Sequence, residues 1–181
     1  MVRCAAMFTT PRKQIRLPPD EYLGTALSFV TICCQDRLSI FSESTRSMAA
    51  IEALRCEAKS RQFLVHAFCL MPDHIHFLAE GAAPNSDLLR FVAQVKQRTG
   101  YILRNDVTNE LWQRRFYDHI LRTSDRRESV AWYIWMNPVR KGIVADPSEY
   151  PFSGSFTRKW PEVVTAHAWN PPWKASSEIR V

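Results

Sequence analysis

Ala67-Phe68-Cys69-Leu70-Met71-Pro72-Asp73-His74-Ile75-His76-Phe77-Leu78 is an apolar run broken once, at Pro72-Asp73, and it carries two histidines. Proline cannot donate to a strand ladder, and Pro-Asp favours a turn. The run therefore reads as two paired strands, Leu64–Met71 and His74–Glu80. In a strand, residues i and i+2 point to the same face, so the imidazoles of His74 and His76 project together.

Working outward, Leu27-Ser28-Phe29-Val30-Thr31-Ile32-Cys33 is β-branched and aromatic, hence a further strand, with Gln35-Asp36-Arg37 as its polar exit. From Ser44 or Thr45 to about Arg61, the residues Met48, Ile51, Ala53, Leu54 and Ala58 recur at helical spacing. After the loop Gly81-Ala82-Ala83-Pro84-Asn85, Ser86 is placed to cap a second helix carrying Leu88, Leu89, Val92, Val95 and Ile102, with Arg90, Lys96, Gln97 and Arg98 on its polar face. Tyr117–Leu121 reads as a strand. Thr123-Ser124-Asp125 offers caps for a third helix running to about Met136, which stops before Pro138 because proline pushes the preceding residue out of helical geometry. Strand, helix, strand, strand, helix, strand is the order of the ferredoxin-like, split-βαβ α+β sandwich, with helices expected on one face of an antiparallel sheet. Residues 1–22 read as a basic, proline-bearing arm, residues 23–155 as the domain, and residues 156–181 as a tail in which Ser, Trp and Pro replace core periodicity.

With 181 residues, 46% of them hydrophobic and 12% aromatic, the chain has room for one sizeable core and is not of the disordered class. The net charge of +6 points toward polyanionic partners, although modest positive charge also serves solubility. Five cysteines, Cys4, Cys33, Cys34, Cys56 and Cys69, are odd in number and contain no C-x-x-C. They read as reduced thiols and not as a disulfide framework. No apolar run approaches membrane-spanning length and the basic N-terminus has no signal-like core, so a cytoplasmic protein is expected.

Tyr133 and Asn137 are four apart in the third helix and share a face. Two imidazoles and an amide oxygen can hold a divalent cation beside a phenol, a set suited to breaking a phosphodiester by covalent catalysis. Spacing does not decide the matter. His-x-His also suits two hydrogen-bonded core histidines, while Tyr133 and Asn137 also suit a half-buried aromatic and a helix terminator before Pro138. Trp112, Phe116, Tyr117, Trp132 and Trp135 lie among Arg114, Arg115, Arg122, Arg126 and Arg127. Cations interleaved with aromatics suit single-stranded nucleic acid, where each stacked base contributes ~1–3 kcal/mol. Most of the tryptophans are expected in the core, with several arginines on phosphate.

In order along the chain, Leu70-Met71-Pro72-Asp73-His74-Ile75-His76, Leu111-Trp112-Gln113, Phe116-Tyr117-Asp118-His119, Leu121-Arg122 and Tyr133-Ile134-x-x-Asn137-Pro138-Val139-Arg140-Lys141-Gly142 resemble the REP-associated tyrosine transposases. These are single-tyrosine HUH transposases of the bacterial insertion-sequence type. The resemblance covers roughly residues 14–155, the Thr31…Arg37 strand end and Tyr150-Pro151-Phe152-Ser153-Gly154-Ser155 included. It implies that His74 and His76 bind Mg²⁺ or Mn²⁺ with Asn137 as third ligand, and that Tyr133 is the nucleophile. Tyr117 is the competing phenol, and Tyr133 is preferred because Asn137 follows it on the same helix face. The implied substrate is a single-stranded DNA hairpin formed by a palindromic repeat, cleaved and rejoined through a 5′-phosphotyrosine. Arg12, Lys13, Arg16, Lys96, Arg114, Arg115, Arg122, Arg126 and Arg127 are the candidate DNA contacts. Relatives differ in acting as monomers or as dimers that share active sites, and both remain open here. The competing expectations are a domesticated hairpin-binding protein without transposition, a metal-dependent phosphohydrolase that uses water, and a nicking enzyme for replication or plasmid transfer, which would share the chemistry but usually bears extra domains.

Overall fold

The structure, a computed structural model, describes residues 17–107, 110–122 and 125–159. The strands are β1 (Leu27–Cys33), β2 (Phe63–Met71), β3 (His74–Gly81), β4 (Tyr117–Ile120) and β5 (Ser153–Gly154). The helices are α1 (Ser44–Ser60), α2 (Leu88–Ile102), α3 (Arg127–Trp135) and α4 (Asn137–Arg140). The strands form one open sheet in the order β4-β1-β3-β2-β5 with antiparallel neighbours throughout. β3 lies between β1 and β2 and so splits the β1-α1-β2 unit, as the element order in the sequence leads one to expect.

Strand alternation divides the core in two. Val30, Ile32, Val65, Phe68, Leu70, Ile75, Phe77 and Ala79 face one way and pack against Ile51 and Leu54 of α1 and Phe91, Val92 and Val95 of α2. Phe29, Ala67, Cys69, Met71 and Leu78 face the other way and pack against Val130, Ala131, Ile134 and Trp135 of α3. The two long helices thus share one face, as expected, while the short α3 covers the opposite face. Sheet residues on both faces are apolar, so each face needs a cover. Burial of Val130, Ile134 and Trp135 supplies roughly 1.5–3 kcal/mol per side chain. That outweighs the partly exposed Arg127–Glu80 ion pair (2.8 Å), worth roughly 0–1 kcal/mol. Apolar packing is therefore what holds α3 down.

The ends of the elements differ from the expected caps. Asp87 caps α2, its side chain accepting from Arg90 N, while Ser86 is buried and its hydroxyl donates to Gln62 O. α3 starts after Arg126 with no side-chain cap bond; Asp125 instead accepts from Arg122 N. Thr123 and Ser124 lie outside the described residues. α3 ends at Trp135 as the proline demands, yet a helical turn resumes as α4 with Pro138 in its first turn, where α4's own bonding needs no N–H.

The described ends of both flanking segments join the core. Tyr22, at the end of the expected arm, is buried and its hydroxyl donates to Asp118 Oδ2 (2.7 Å). Phe156, at the start of the expected tail, packs against Phe68 with ring centroids 4.9 Å apart. Trp160, Trp169 and Trp173 lie outside the described residues. Trp112 and Trp135 are buried, as expected of most tryptophans. Cys33, Cys34, Cys56 and Cys69 are free thiols, and Cys4 is outside the described residues. Among the described residues, no helix is long and apolar enough to cross a membrane.

Candidate active site

β1, β3 and β2 put the candidate residues in rows on the face covered by α3. Thr31 pairs with His76, and His76 with Cys69; on the other side of Thr31 stands Tyr117. Cys33, His74 and Met71 form the adjacent row. Cross-strand partners on one face stand about 4.5–5.5 Å apart at Cβ, which is why a residue 45 positions from His76 in sequence touches it.

His74 Nε2 and His76 Nε2 converge to 3.0 Å. Each outer nitrogen is held: His74 Nδ1 donates to Asp73 Oδ1 (2.5 Å), and His76 Nδ1 lies 2.7 Å from Thr31 Oγ1. A carboxylate can only accept, so His74 carries its proton on Nδ1 and turns the Nε2 lone pair inward. Asp73 is itself fastened by Arg37 (3.1 Å). The turn bearing it is tied to β1's exit by Cys34 N donating to Asp73 O (2.8 Å) and Phe41 N donating to Pro72 O (2.9 Å). Burial opposes the charge on Asp73, but His74 and Arg37 outweigh it and hold its carboxyl below the usual range. Burial lowers His74 although Asp73 pulls the other way, and it lowers His76 further, with the charges of His74, Arg140 and Arg37 adding to the effect on His76. Both imidazoles are consequently neutral near pH 7, the form that can ligate a metal.

The donors suit a cation. Two imidazole nitrogens on neighbouring positions of one ion, each at about 2.0–2.1 Å, stand about 3 Å apart, which is the separation of this pair. Among the described residues, no group of three His, Cys, Asp or Glu side chains could hold a metal ion. Among the described residues a third protein donor would be of another type, and an amide oxygen qualifies.

Asn137 has the chemistry for it. Its Nδ2 donates to Ile134 O (3.0 Å) and Tyr133 O (3.2 Å). Ile134 O faces the position where Pro138 has no N–H, so the side-chain amide replaces the missing backbone donor. Two carbonyls can be met only by the NH₂ end, which leaves Oδ1 for another partner. The helix-terminator role is therefore real, and it is compatible with ligation.

Tyr133 is half-buried. Its ring meets Phe29 edge-on at 6.1 Å between centroids, and Phe29 stacks on His76 at 5.4 Å, so one phenyl group links phenol and imidazole. Burial raises the Tyr133 phenol above its ordinary value while Arg140 pulls the other way. Arg140 lies over the ring, 4.1 Å from its centroid, and its Nη2 donates to Tyr133 O at 2.7 Å. Tyr117 also flanks Phe29, at 6.3 Å. Burial, then Asp118 and Tyr133, push its phenol up to about 12, so Tyr117 is a neutral hydrogen-bonding group near pH 7.

The candidate DNA contacts are spread out. Arg114 and Arg115 are exposed just before β4, and Arg122 and Arg126 are exposed after it, some seven residues on, which is about 20 Å of extended chain. Lys96 Nζ instead donates to Gln113 O (2.8 Å) and Arg114 O (3.0 Å), and so shapes the loop leading into β4. Arg127 pairs with Glu80, which also bonds His66 Nε2 (2.8 Å). Arg12, Lys13 and Arg16 lie outside the described residues. Sequence reasoning assigned no site role to Thr31, Asp73, Phe29 or Arg140. Asp73 and Arg140 had a signal, one adjoining His74 and the other two helical turns beyond Tyr133. Thr31 entered only as the start of a strand end within the resemblance and Phe29 only as a strand residue, and it is strand pairing that brings them in.

Comparison with known proteins bears on the family and the fold. Residues 27–137 match the family model described as Transposase IS200 like. A Haemophilus influenzae protein, provisionally named a REP-associated tyrosine transposase, is 28% identical over 175 residues, covering 88% of this chain and 97% of that one. A REP-associated tyrosine transposase of Escherichia coli K12 is 27% identical over 135 residues, covering 73% of this chain and 78% of that one. The solved structure of a REP-associated tyrosine transposase bound to a REP hairpin superposes with a TM-score of 0.64 at 24% identity, over 73% of this chain and 78% of that one. At that identity the likeness speaks for the fold.

Proposed function

The chain belongs to the IS200-like transposase family, and from that premise we propose that it cleaves and rejoins single-stranded DNA at palindromic-repeat hairpins through a covalent phosphotyrosine on Tyr133. The observation that carries the reading is the 3.0 Å convergence of two Nε2 atoms, each with its outer nitrogen occupied, on the face that α3 covers with Tyr133, with Asn137 opening α4 just beyond. The hairpin as substrate rests on the similarity to relatives named for REP elements, one of them with a REP hairpin bound.

In this reading Tyr133 Oη attacks phosphorus as the bond to the 3′ oxygen breaks. The phenol gives up its proton on attack, and the departing oxygen takes one up to become a 3′-hydroxyl. The other strand end is held as a 5′-phosphotyrosine. A 3′-hydroxyl attacking that ester reverses the step and joins strands without an external energy source, since the ester bond is conserved. Mg²⁺ or Mn²⁺ held by His74, His76 and Asn137 would draw charge from the non-bridging phosphate oxygens and steady the leaving 3′ oxygen. Asp73 and Thr31 fix the orientation of the two imidazoles. Phe29 keeps apolar surface between His76 and the Tyr133 ring. Exposed Arg114, Arg115, Arg122 and Arg126 would meet phosphates along the strand, making affinity strongly salt-dependent.

The test is to mix the protein with a labelled single-stranded hairpin from beside its own gene, with Mn²⁺ or Mg²⁺, and to look on a denaturing gel for a covalent protein–DNA band. A metal-dependent band absent from Tyr133→Phe is expected. Cleaved product without adduct, from wild type and variant alike, would instead mean that water is the nucleophile.

A further inference from the structure

We propose that Arg140 is a catalytic residue that binds the scissile phosphate between Tyr133 and the histidine pair; this rests on the tyrosine-nucleophile reading above. For in-line attack, the phosphate must lie within reach of both the Tyr133 hydroxyl and the two Nε2 atoms. Arg140 is placed beside that gap. Its guanidinium stacks over the Tyr133 ring at 4.1 Å, and its residue is exposed, so an incoming strand can reach it.

The anchoring is as informative as the position. One N–H of Arg140, on Nη2, donates to Tyr133 O at 2.7 Å. The guanidinium also hydrogen-bonds the Tyr133 side chain. With five N–H donors in a planar fork, it still has donors left for phosphate oxygens after both contacts. The carbonyl it caps is one that the helix leaves open near its end, and Asn137 Nδ2 already reaches the same oxygen at 3.2 Å. A cap alone therefore does not call for a cation. The field of Arg140 also acts on both sides of the gap, on the Tyr133 phenol and on His76. Near a phosphate, this charge would offset the negative charge that builds on the equatorial oxygens as the phenol attacks.

The assignment is tested by single-turnover adduct formation with wild type, Arg140→Lys, Arg140→Gln and Arg140→Ala. Each is run on the hairpin oligonucleotide with an ordinary phosphodiester at the mapped cleavage site, and on one with a methylphosphonate there. The methylphosphonate removes the charge and one acceptor oxygen from the reacting group alone. On the diester, Arg140→Ala is expected to react about 10²-fold more slowly, the loss typical of one transition-state donor. Arg140→Lys should recover part of that loss by restoring charge without the fork. On the methylphosphonate, wild type and Arg140→Ala should differ by no more than about 3-fold, because the partner of the charge is gone. An equal loss on both substrates would show that Arg140 only holds Tyr133 in place, and it would overturn the proposal, as would no loss on the diester. Melting temperatures confirm folding, and Arg140→Gln stands in if alanine unfolds the chain. A wild type that forms no adduct refutes the nucleophile reading itself, which a defect confined to the variants does not.

Discussion

Asn137→Ala removes two functions that can be measured separately. The side-chain amide donates to Ile134 O (3.0 Å) and Tyr133 O (3.2 Å). Tyr133 O keeps Arg140 Nη2 at 2.7 Å, so its loss is small. Ile134 O faces Pro138, which has no N–H to offer, and a buried acceptor deprived of its donor costs about 1–3 kcal/mol. Taking about 2 kcal/mol at about 2–4 °C per kcal/mol for a chain of this size, the melting temperature should fall by about 4–8 °C. Asparagine to aspartate is predicted to be worse for the fold. A carboxylate would face two carbonyl oxygens with nothing to donate, even though it is the stronger ligand for a hard cation. Thermal unfolding by circular dichroism without metal reads the structural part. Adduct formation at 25 °C, with the variant still folded, reads the other part. It should drop by at least the 10–100-fold that loss of even an outer-shell metal partner brings, and should partly recover at higher Mn²⁺. A folded Asn137→Ala protein with the wild-type rate and metal dependence would refute ligation by the amide. An unchanged melting temperature would refute the hydrogen-bond account.

Asp73→Ala frees the Nδ1 end of His74 and should raise the Mn²⁺ concentration for half-maximal adduct formation about 10–100-fold; an unchanged requirement would sink the orienting role. Gly81→Ala would drive a Cβ into the Gly24 carbonyl oxygen and to 2.9 Å from Ser86 Cβ. Because backbone cannot step aside as a side chain can, a loss of about 3 kcal/mol is expected by denaturant unfolding, and a loss well under 1 kcal/mol would contradict that packing. Stability should also fall with acid in the metal-free protein. Burial holds His66, His74 and His76 below their ordinary 6.5, so below that pH the unfolded chain binds protons that the folded chain refuses. The loss is about 1.4 kcal/mol per pH unit for each histidine still neutral in the fold. Melting at pH 5.5 should therefore come at a lower temperature than at pH 7.5, and an equal or higher value would reverse the sign of the argument.

Much of the fold could be read in advance because it follows local rules. Leu27–Cys33 is a strand over the span its β-branched run marks, and α1 at Ser44–Ser60 follows its apolar spacing to within a residue. The caps were less legible. Ser86 and Asp87 are both good cap residues, and the choice went to Asp87 because Ser86 is drawn into bonds with Gln62 and Ala83. The side of the sheet that α3 covers was not legible either. Val130, Trp132, Tyr133, Ile134 and Trp135 put apolar or aromatic groups around much of that helix, so no single stripe announces its buried face.

The candidate site divides along the same line. That His74 and His76 share a face follows from the two-residue repeat of a strand, and that Asn137 reaches back to Tyr133 follows from helical spacing; both are set by backbone geometry within a few residues. Thr31 against His76, Phe29 between imidazole and phenol, and both tyrosines on the covered face depend on strand order and register. Those are decided only when distant segments compete to bury the same apolar surface, so no local pattern records them. Local chemistry names the groups that can act, and the packing of α3 onto the second face of the sheet sets Tyr133 against Phe29, which stacks on His76.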